Sequence, residues 1–294
     1  MSDEGNSDAR SIGATASSPA RSRQRWRQLV KRVGVVAVAY LLVVFGTMWC
    51  ETLLIFPTWQ IPAGDWNPTG FSYEDVFFHA EDGTRLNGWY FAHPDPRAHV
   101  LYCHGNGEHL AHLGDYMDGL REEYQVSIFA FDYRGYGRSE GKPHEAGVIA
   151  DARAARAWLA QHARIEPEEV VLWGRSIGGA VAVAVGADGG ARGMILERTF
   201  TRLTDVAARH YWWLPVRLLM RNRFDSLSRI SAYHGPLLQS HGTEDEIVPL
   251  SLGKALFEAA GSRDKQFVTM PKVTHNGPSS KEYHAELNRF LKRL

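Results

Sequence analysis

Cysteine is almost missing from this chain. Its two cysteines, Cys50 and Cys103, exclude a disulfide framework and a zinc cluster built on paired thiolates. One ends an apolar run and the other falls inside an expected strand, so no bond between them is expected. A net charge is missing as well: 33 basic residues balance 33 acidic ones. No basic stripe runs through the sequence, which sets nucleic-acid binding aside. An H-E-x-x-H pair, closely spaced Cys/His ligands and a glycine-rich phosphate loop are all absent from the sequence. Neither a metal nor a cofactor is therefore expected. Internal repeats are absent too.

The balanced charge hides an uneven distribution. Residues 1–32 hold seven Lys/Arg and three Asp/Glu, and residues 33–50 hold none of either. Taking these from the totals leaves 26 basic and 30 acidic residues beyond position 50. The first twenty residues are rich in Ser, Ala, Gly and Asp, and residues 1–32 read as a disordered basic tail. Val33–Cys50 is then an uncharged apolar stretch of eighteen residues, where a spanning helix needs about 17–25. Apolar character resumes after Glu51 and stops at Pro57, which sets the expected anchor at 33–56. Six Lys/Arg lie between Arg21 and Arg32, and the next basic residue is Arg85. That asymmetry predicts a cytoplasmic N-terminus and an extracytoplasmic remainder, with a single pass. Trp49, Trp59 and Trp66 suit the interface. Two rivals stand beside the anchor: a cleaved signal peptide, although no A-x-A site follows the run, and a buried core helix.

Beyond Phe71 the pattern changes to strands and helices. Tyr73–Ala80 and Arg85–Phe91 flank the turn Glu81-Asp82-Gly83-Thr84 and read as a hairpin. Strands are then expected at His99–Cys103, Val126–Phe131, Glu169–Trp173, Met194–Leu196, Pro236–Ser240 and Gln266–Met270. Helices are expected between them, with a closing helix at Glu282–Leu294. Strands alternating with helices of this length predict a mostly parallel sheet covered on both faces, with an antiparallel N-terminal edge. Residues 57–294 form the expected catalytic domain.

The chemistry centres on Gly174-Arg175-Ser176-Ile177-Gly178-Gly179. A β-forming run precedes it and Gly179–Val185 reads as a helix behind it. Strand, sharp turn and helix is the setting of a nucleophile elbow, in which the residues two before and two after the serine must be small. A serine hydroxyl is a weak nucleophile and needs a base within hydrogen-bond reach. His275 lies in the loop after the last strand, and His284 in the closing helix is its alternative. Thr243-Glu244-Asp245-Glu246 follows the strand Pro236–Ser240, so an acid to orient that base is available three times over.

Four stretches carry a family resemblance: HGNGE at 104–108, DYRGYGRSEG at 132–141, GRSIGG at 174–179 and HGTEDEIVP at 241–249. With Thr274-His275-Asn276 they cover residues 71–294. In that order they resemble an α/β-hydrolase, of the membrane-anchored branch that is serine aminopeptidase-like, lipase-like or thioesterase-like. The resemblance implies a Ser-His-Asp triad of Ser176, His275 and Asp245, the last in register with Val248-Pro249. Glu244 and Glu246 remain the rival acids. It implies an oxyanion hole from the backbone N–H groups of Ile177 and Asn106, with no cofactor and no metal. His104 and His241 are expected to be structural, and Asp132–Gly141 a locked turn bordering the pocket. Thr274 stands where the family often has glycine. A small cap is expected at about 200–230. Its run from Tyr211 to Phe224, apolar and aromatic with three arginines, either roofs the pocket or dips into lipid headgroups. The implied function is membrane-anchored hydrolysis of an ester or thioester through an acyl-enzyme, with an acyl substrate and membrane lipid as partners. A serine aminopeptidase and a non-catalytic anchored module are the alternatives. Oligomeric state, acyl length and pathway are not legible.

Overall fold

The computed structural model describes residues 19–58 and 64–294. Residues 1–18 of the expected tail and the expected interfacial Trp59 lie outside that range. Two compact units divide between Trp49 and Cys50.

The described residues of the first unit form one helix, α1 (Pro19–Trp49). The basic run at 21–32, expected in the tail, forms its opening turns. Most of its apolar side chains stay uncovered, with Val35 69% and Phe45 64% exposed. A core helix would bury that surface, so the core-helix rival is set aside. Length and composition over Arg23–Trp49 fit a membrane span.

The expected anchor at 33–56 is divided. The long helix ends at Trp49, and a short helix α2 (Glu51–Ile55) belongs to the second unit. Glu51 and Phe56 are only 5% and 2% exposed there. The physical cause is a set of partners far along the chain. Glu51 accepts hydrogen bonds from Arg221 N, Asn222 N and Asn222 Nδ2 at 2.8–2.9 Å. The Phe56 ring packs edge-on to Phe224, with centroids 6.2 Å apart.

The rest of this unit is a three-layer sandwich. Its sheet consists of β1 (Glu74–His79), β2 (Arg85–Phe91), β3 (His99–Cys103), β4 (Ser127–Phe131), β5 (Val171–Arg175), β6 (Gly193–Glu197), β7 (Leu237–Gly242) and β8 (Lys265–Met270). Among the described residues the order is β1-β2-β4-β3-β5-β6-β7-β8. β1–β2 and β2–β4 pair antiparallel and every other pair is parallel. The central strands are buried on both faces, which is why they read as unbroken apolar runs. Two apolar clusters cover the sheet. Helices α4 (Glu145–Ala163), α5 (Ile177–Gly189) and α9 (Leu250–Ala259) supply one, and α3 (Leu110–Tyr124) and α10 (Lys281–Arg293) the other.

The cap between β6 and β7 is made of three short helices: α6 (Leu203–His210), α7 (Val216–Leu219) and α8 (Ser226–Arg229). Phe224, Val206 and Ile230 turn inward and join the core. Trp212 and Leu218 do not, and stay 83% and 85% exposed.

Candidate active site

Strand β5 ends at Arg175 and helix α5 begins at Ile177, which leaves one residue for the turn. That residue is Ser176, at φ 54° and ψ −119°. A non-glycine residue rarely occupies positive φ, and such strain persists only where the surroundings enforce it. Here they do. A Cβ on Gly174 would meet the Gly178 carbonyl, and one on Gly178 would meet the carbonyl oxygens of Cys103 and His104. At Gly179 it would lie 2.6 Å from Thr199 Cβ. The three glycines thus let strand, turn and helix close on one another, and the turn lifts Ser176 to the C-terminal edge of the sheet.

The structure brings His275 and Asp245 to that serine. His275 Nε2 lies 3.1 Å from Ser176 Oγ. On the other side of the ring, Nδ1 lies 2.8 Å from Asp245 Oδ2 and 3.0 Å from Oδ1. Asp245 follows β7, and its Oδ1 accepts from Val248 N at 2.7 Å and Ile247 N at 3.1 Å. Burial by itself would raise this carboxyl. Hydrogen bonds from His241 and His275 outweigh burial and hold it well below the usual carboxylate range. An ionised Asp245 assigns the imidazole proton to Nδ1, which leaves the Nε2 lone pair facing the serine hydroxyl. Glu244 is exposed, and Glu246 accepts instead from the His275 backbone N–H at 3.2 Å. The alternative base, His284, is engaged with Tyr124 Oη at 2.5 Å.

Two amides flank Ser176. Among the described residues neither Ile177 N–H nor Asn106 N–H donates to any protein group, although their neighbours do. Ile177 opens α5, where the helix dipole adds to the field. Asn106 is held by its side chain: Nδ2 donates to Ile55 O at 2.5 Å, and Oδ1 accepts from Tyr136 Oη at 2.6 Å. Gly105 N donates to Glu108 Oε2 at 2.8 Å, and Glu108 Oε1 accepts from Arg175 Nη1 at 2.9 Å. The loop 104–108 is therefore tied to three other segments, at Ile55, Tyr136 and Arg175.

Residues 94–224 match the model of a family described as serine aminopeptidase, S33. That span includes Ser176 and ends before Asp245 and His275. An uncharacterized protein of Mycobacterium tuberculosis is 37% identical over 264 residues, covering 87% of this chain and 91% of that one. The α/β hydrolase domain-containing protein WAV2 of Arabidopsis thaliana is 30% identical over 222 residues, 69% of this chain and 72% of its own. This chain belongs to the α/β-hydrolase superfamily. The fold alone also resembles that of an esterase from Pyrococcus furiosus, with TM-score 0.65 and 21% identity over 79% of this chain and 95% of the other.

This α/β-hydrolase spends its DYRGYGRSEG stretch on scaffold, as expected. Arg134 makes a two-pronged ion pair with buried Asp151 and reaches Asp82 at 2.7 Å. Tyr133 Oη donates to His104 O at 3.0 Å, behind the loop 104–108. Burial pushes the His104 imidazole down to about 4, so the ring is neutral at pH 7. Its Nδ1 lies 2.7 Å from Gly105 O, which fits the expected structural role.

Sequence reasoning missed the supports of Asp245 and His275 in this α/β-hydrolase. His241, read only as structural, places Nε2 3.3 Å from Asp245 Oδ2. Arg198 Nη1 donates to the His275 carbonyl at 2.7 Å and Arg175 Nη2 reaches it at 3.2 Å. Nothing local to Arg198 signals this role except its position just past the end of β6. Among the described residues no group of three or more His, Cys, Asp or Glu has the geometry to hold a metal ion.

Proposed function

We propose that this protein is a membrane-anchored serine hydrolase that cleaves an ester or thioester through an acyl-enzyme. The observation that carries the reading is the continuous chain from Ser176 Oγ to His275 to Asp245, with contacts of 3.1 and 2.8 Å. Ser176 Oγ attacks the carbonyl carbon while Nε2 of His275 accepts its proton. The C–O or C–S bond to the leaving group breaks as His275 returns the proton to it. Water, deprotonated by the same nitrogen, then releases the acid. Asp245 keeps the imidazole in the correct tautomer and stabilises the imidazolium. The N–H groups of Ile177 and Asn106 receive the negative charge on the carbonyl oxygen. Removal of one such donor costs about 2.7–4 kcal/mol in other serine hydrolases.

The family description favours a second reading, a serine aminopeptidase. Gripping a substrate amine requires a carboxylate that is free to pair with it. Glu108, Asp245 and Glu246 are the carboxylates bonded to the elbow, the base and the oxyanion loop, and each is already engaged by Arg175, His275 or a backbone amide. That supports the ester reading over the peptidase. Anchoring rests on α1, and the charge bias of the sequence around it supports a cytoplasmic N-terminus and an extracytoplasmic catalytic unit.

The test is labelling of the full chain with a fluorophosphonate, followed by a panel of acyl esters, thioesters and aminoacyl amides. Ser176→Ala is expected to lose labelling and turnover with unchanged circular dichroism. Stoichiometric labelling of that variant would place the nucleophile elsewhere. Turnover confined to the aminoacyl amides would replace the esterase with the peptidase.

A further inference from the structure

The cap carries an apolar surface that its own core does not use. Its inward side is filled by Phe224, Val206 and Ile230. On its outer side Trp212 and Leu218 are 83% and 85% exposed, and Tyr211 is 53% exposed. A roof over a pocket would bury these side chains on the pocket beneath it. They point away instead, beside an open groove of about 1030 Å³ lined by Arg209, Trp212, Arg217 and Leu218 against Leu252 of α9. Tyr211, Trp212 and Trp213 lie between Arg209 and Arg217, with Arg221 beyond them, a composition that the headgroup layer accepts. Trp takes the boundary between acyl chain and water, and guanidinium groups pair with phosphates.

What fixes the occupant of this face is Glu51. It is the second residue after the apolar helix and is buried against the cap, where Arg221 and Asn222 hold it with four hydrogen bonds. The cap is thereby fastened beside the point where the chain leaves the apolar run. Leu53 and Leu54 of α2 are exposed at 54% and 63% and extend the apolar character there.

We infer that the outer face of the cap, Arg209 to Arg221, together with Leu53 and Leu54, sits in the headgroup layer of the membrane that the apolar helix enters. The catalytic unit is docked on the bilayer and does not float on a tether. This rests on the anchored reading of α1, not on the identity of the hydrolysed bond. It puts an acyl-lipid substrate within reach of the site without transfer through water.

The experiment uses the full chain in liposomes of phosphatidylcholine and phosphatidylglycerol. Cys50→Ser removes the accessible thiol, while Cys103 is fully buried. Leu218→Cys and, separately, Trp212→Cys then carry an environment-sensitive fluorophore. Lys292→Cys on α10, which packs on the opposite face of the sheet, is the reference. Nitroxide-bearing lipid is expected to quench the labels at 218 and 212 severalfold more than the label at 292, and aqueous iodide severalfold less. If all three labels respond alike in protein that stays with the liposomes after an alkaline wash, the docking is wrong and the anchor stands. Crosslinking of two chains through position 218 would make the face an interface between copies and overturn the proposal. Protein that washes off the liposomes would remove the anchor and the docking together.

Discussion

Replacing Glu51 by Ala tests whether the segment after the apolar helix is part of the catalytic unit. The carboxylate accepts from Asn222 N at 2.8 Å and from Asn222 Nδ2 and Arg221 N at 2.9 Å, with Arg221 Nε at 3.3 Å. The Arg221 side chain is 71% exposed and water can replace its bond. Asn222 is only 7% exposed, and its Oδ1 is tied to Glu145 N at 2.8 Å, so it cannot swing out without breaking a second contact. Two buried donors would be left unpaired, at about 1–3 kcal/mol each. For a unit of this size that is a fall in Tm of at least about 4 °C. Glu51→Gln keeps an acceptor oxygen and should lose clearly less. Burial by itself would raise this carboxyl, but the hydrogen bonds from Asn222 and Arg221 outweigh it and hold it below the usual range. A depressed folded-state value means that the stabilisation is complete at neutral pH and disappears as pH falls through that value. The gap between wild type and Glu51→Gln should therefore be widest near pH 7 and close in acid. The assay is thermal unfolding of the full chain in detergent across that pH range. A Tm for Glu51→Ala within about 1 °C of wild type would refute the reasoning, since surface changes cost no more than that. So would an equal loss for Ala and Gln.

Three other outcomes follow from the site and the anchor. Asp245→Asn should cut kcat by about 10⁴, as loss of the correct imidazole tautomer does elsewhere, with Glu244→Gln near wild type; a larger loss from Glu244→Gln in steady-state kinetics would move the acid. Gly178→Ala should fail to accumulate as folded protein, because its methyl would overlap the backbone carbonyls of Cys103 and His104; a well-folded, active variant would show the elbow packing to be looser than described. Protease added to intact spheroplasts should digest the catalytic unit and spare an N-terminal tag, and the opposite pattern would reverse the orientation.

Much of the fold was legible because its signals are local. Unbroken apolar runs mark strands buried on both faces, and β3 to β6 lie where those runs lie. The elbow was legible for the same reason: a turn one residue long demands glycines at fixed offsets, and Gly174 and Gly178 stand at them. Asp245 and His275, which the fold brings to Ser176, could be singled out by loop position and resemblance, since both lie just past strand ends that the sequence marks. The cap was less legible. Its aromatic run suggested helix, but Pro215 and the short turns around it leave three separate pieces.

The sequence alone determined the elements that short-range chemistry dictates: the strand order along the chain, the strained serine, and an apolar helix long enough to cross a bilayer. Tertiary structure decided everything whose partners are distant. A lone Glu51 after an apolar run reads as the edge of an anchor, and only contact with Asn222, 171 residues away, turns it into a buried lock. Arg198 reads as a charge after a strand until the fold sets it against the carbonyl of His275, 77 residues on. His241 reads as a strand-end histidine until Asp245 turns back to meet it. In each case the free energy of burying a polar group depends on whether a partner is present, and the chain reveals that partner only when folded.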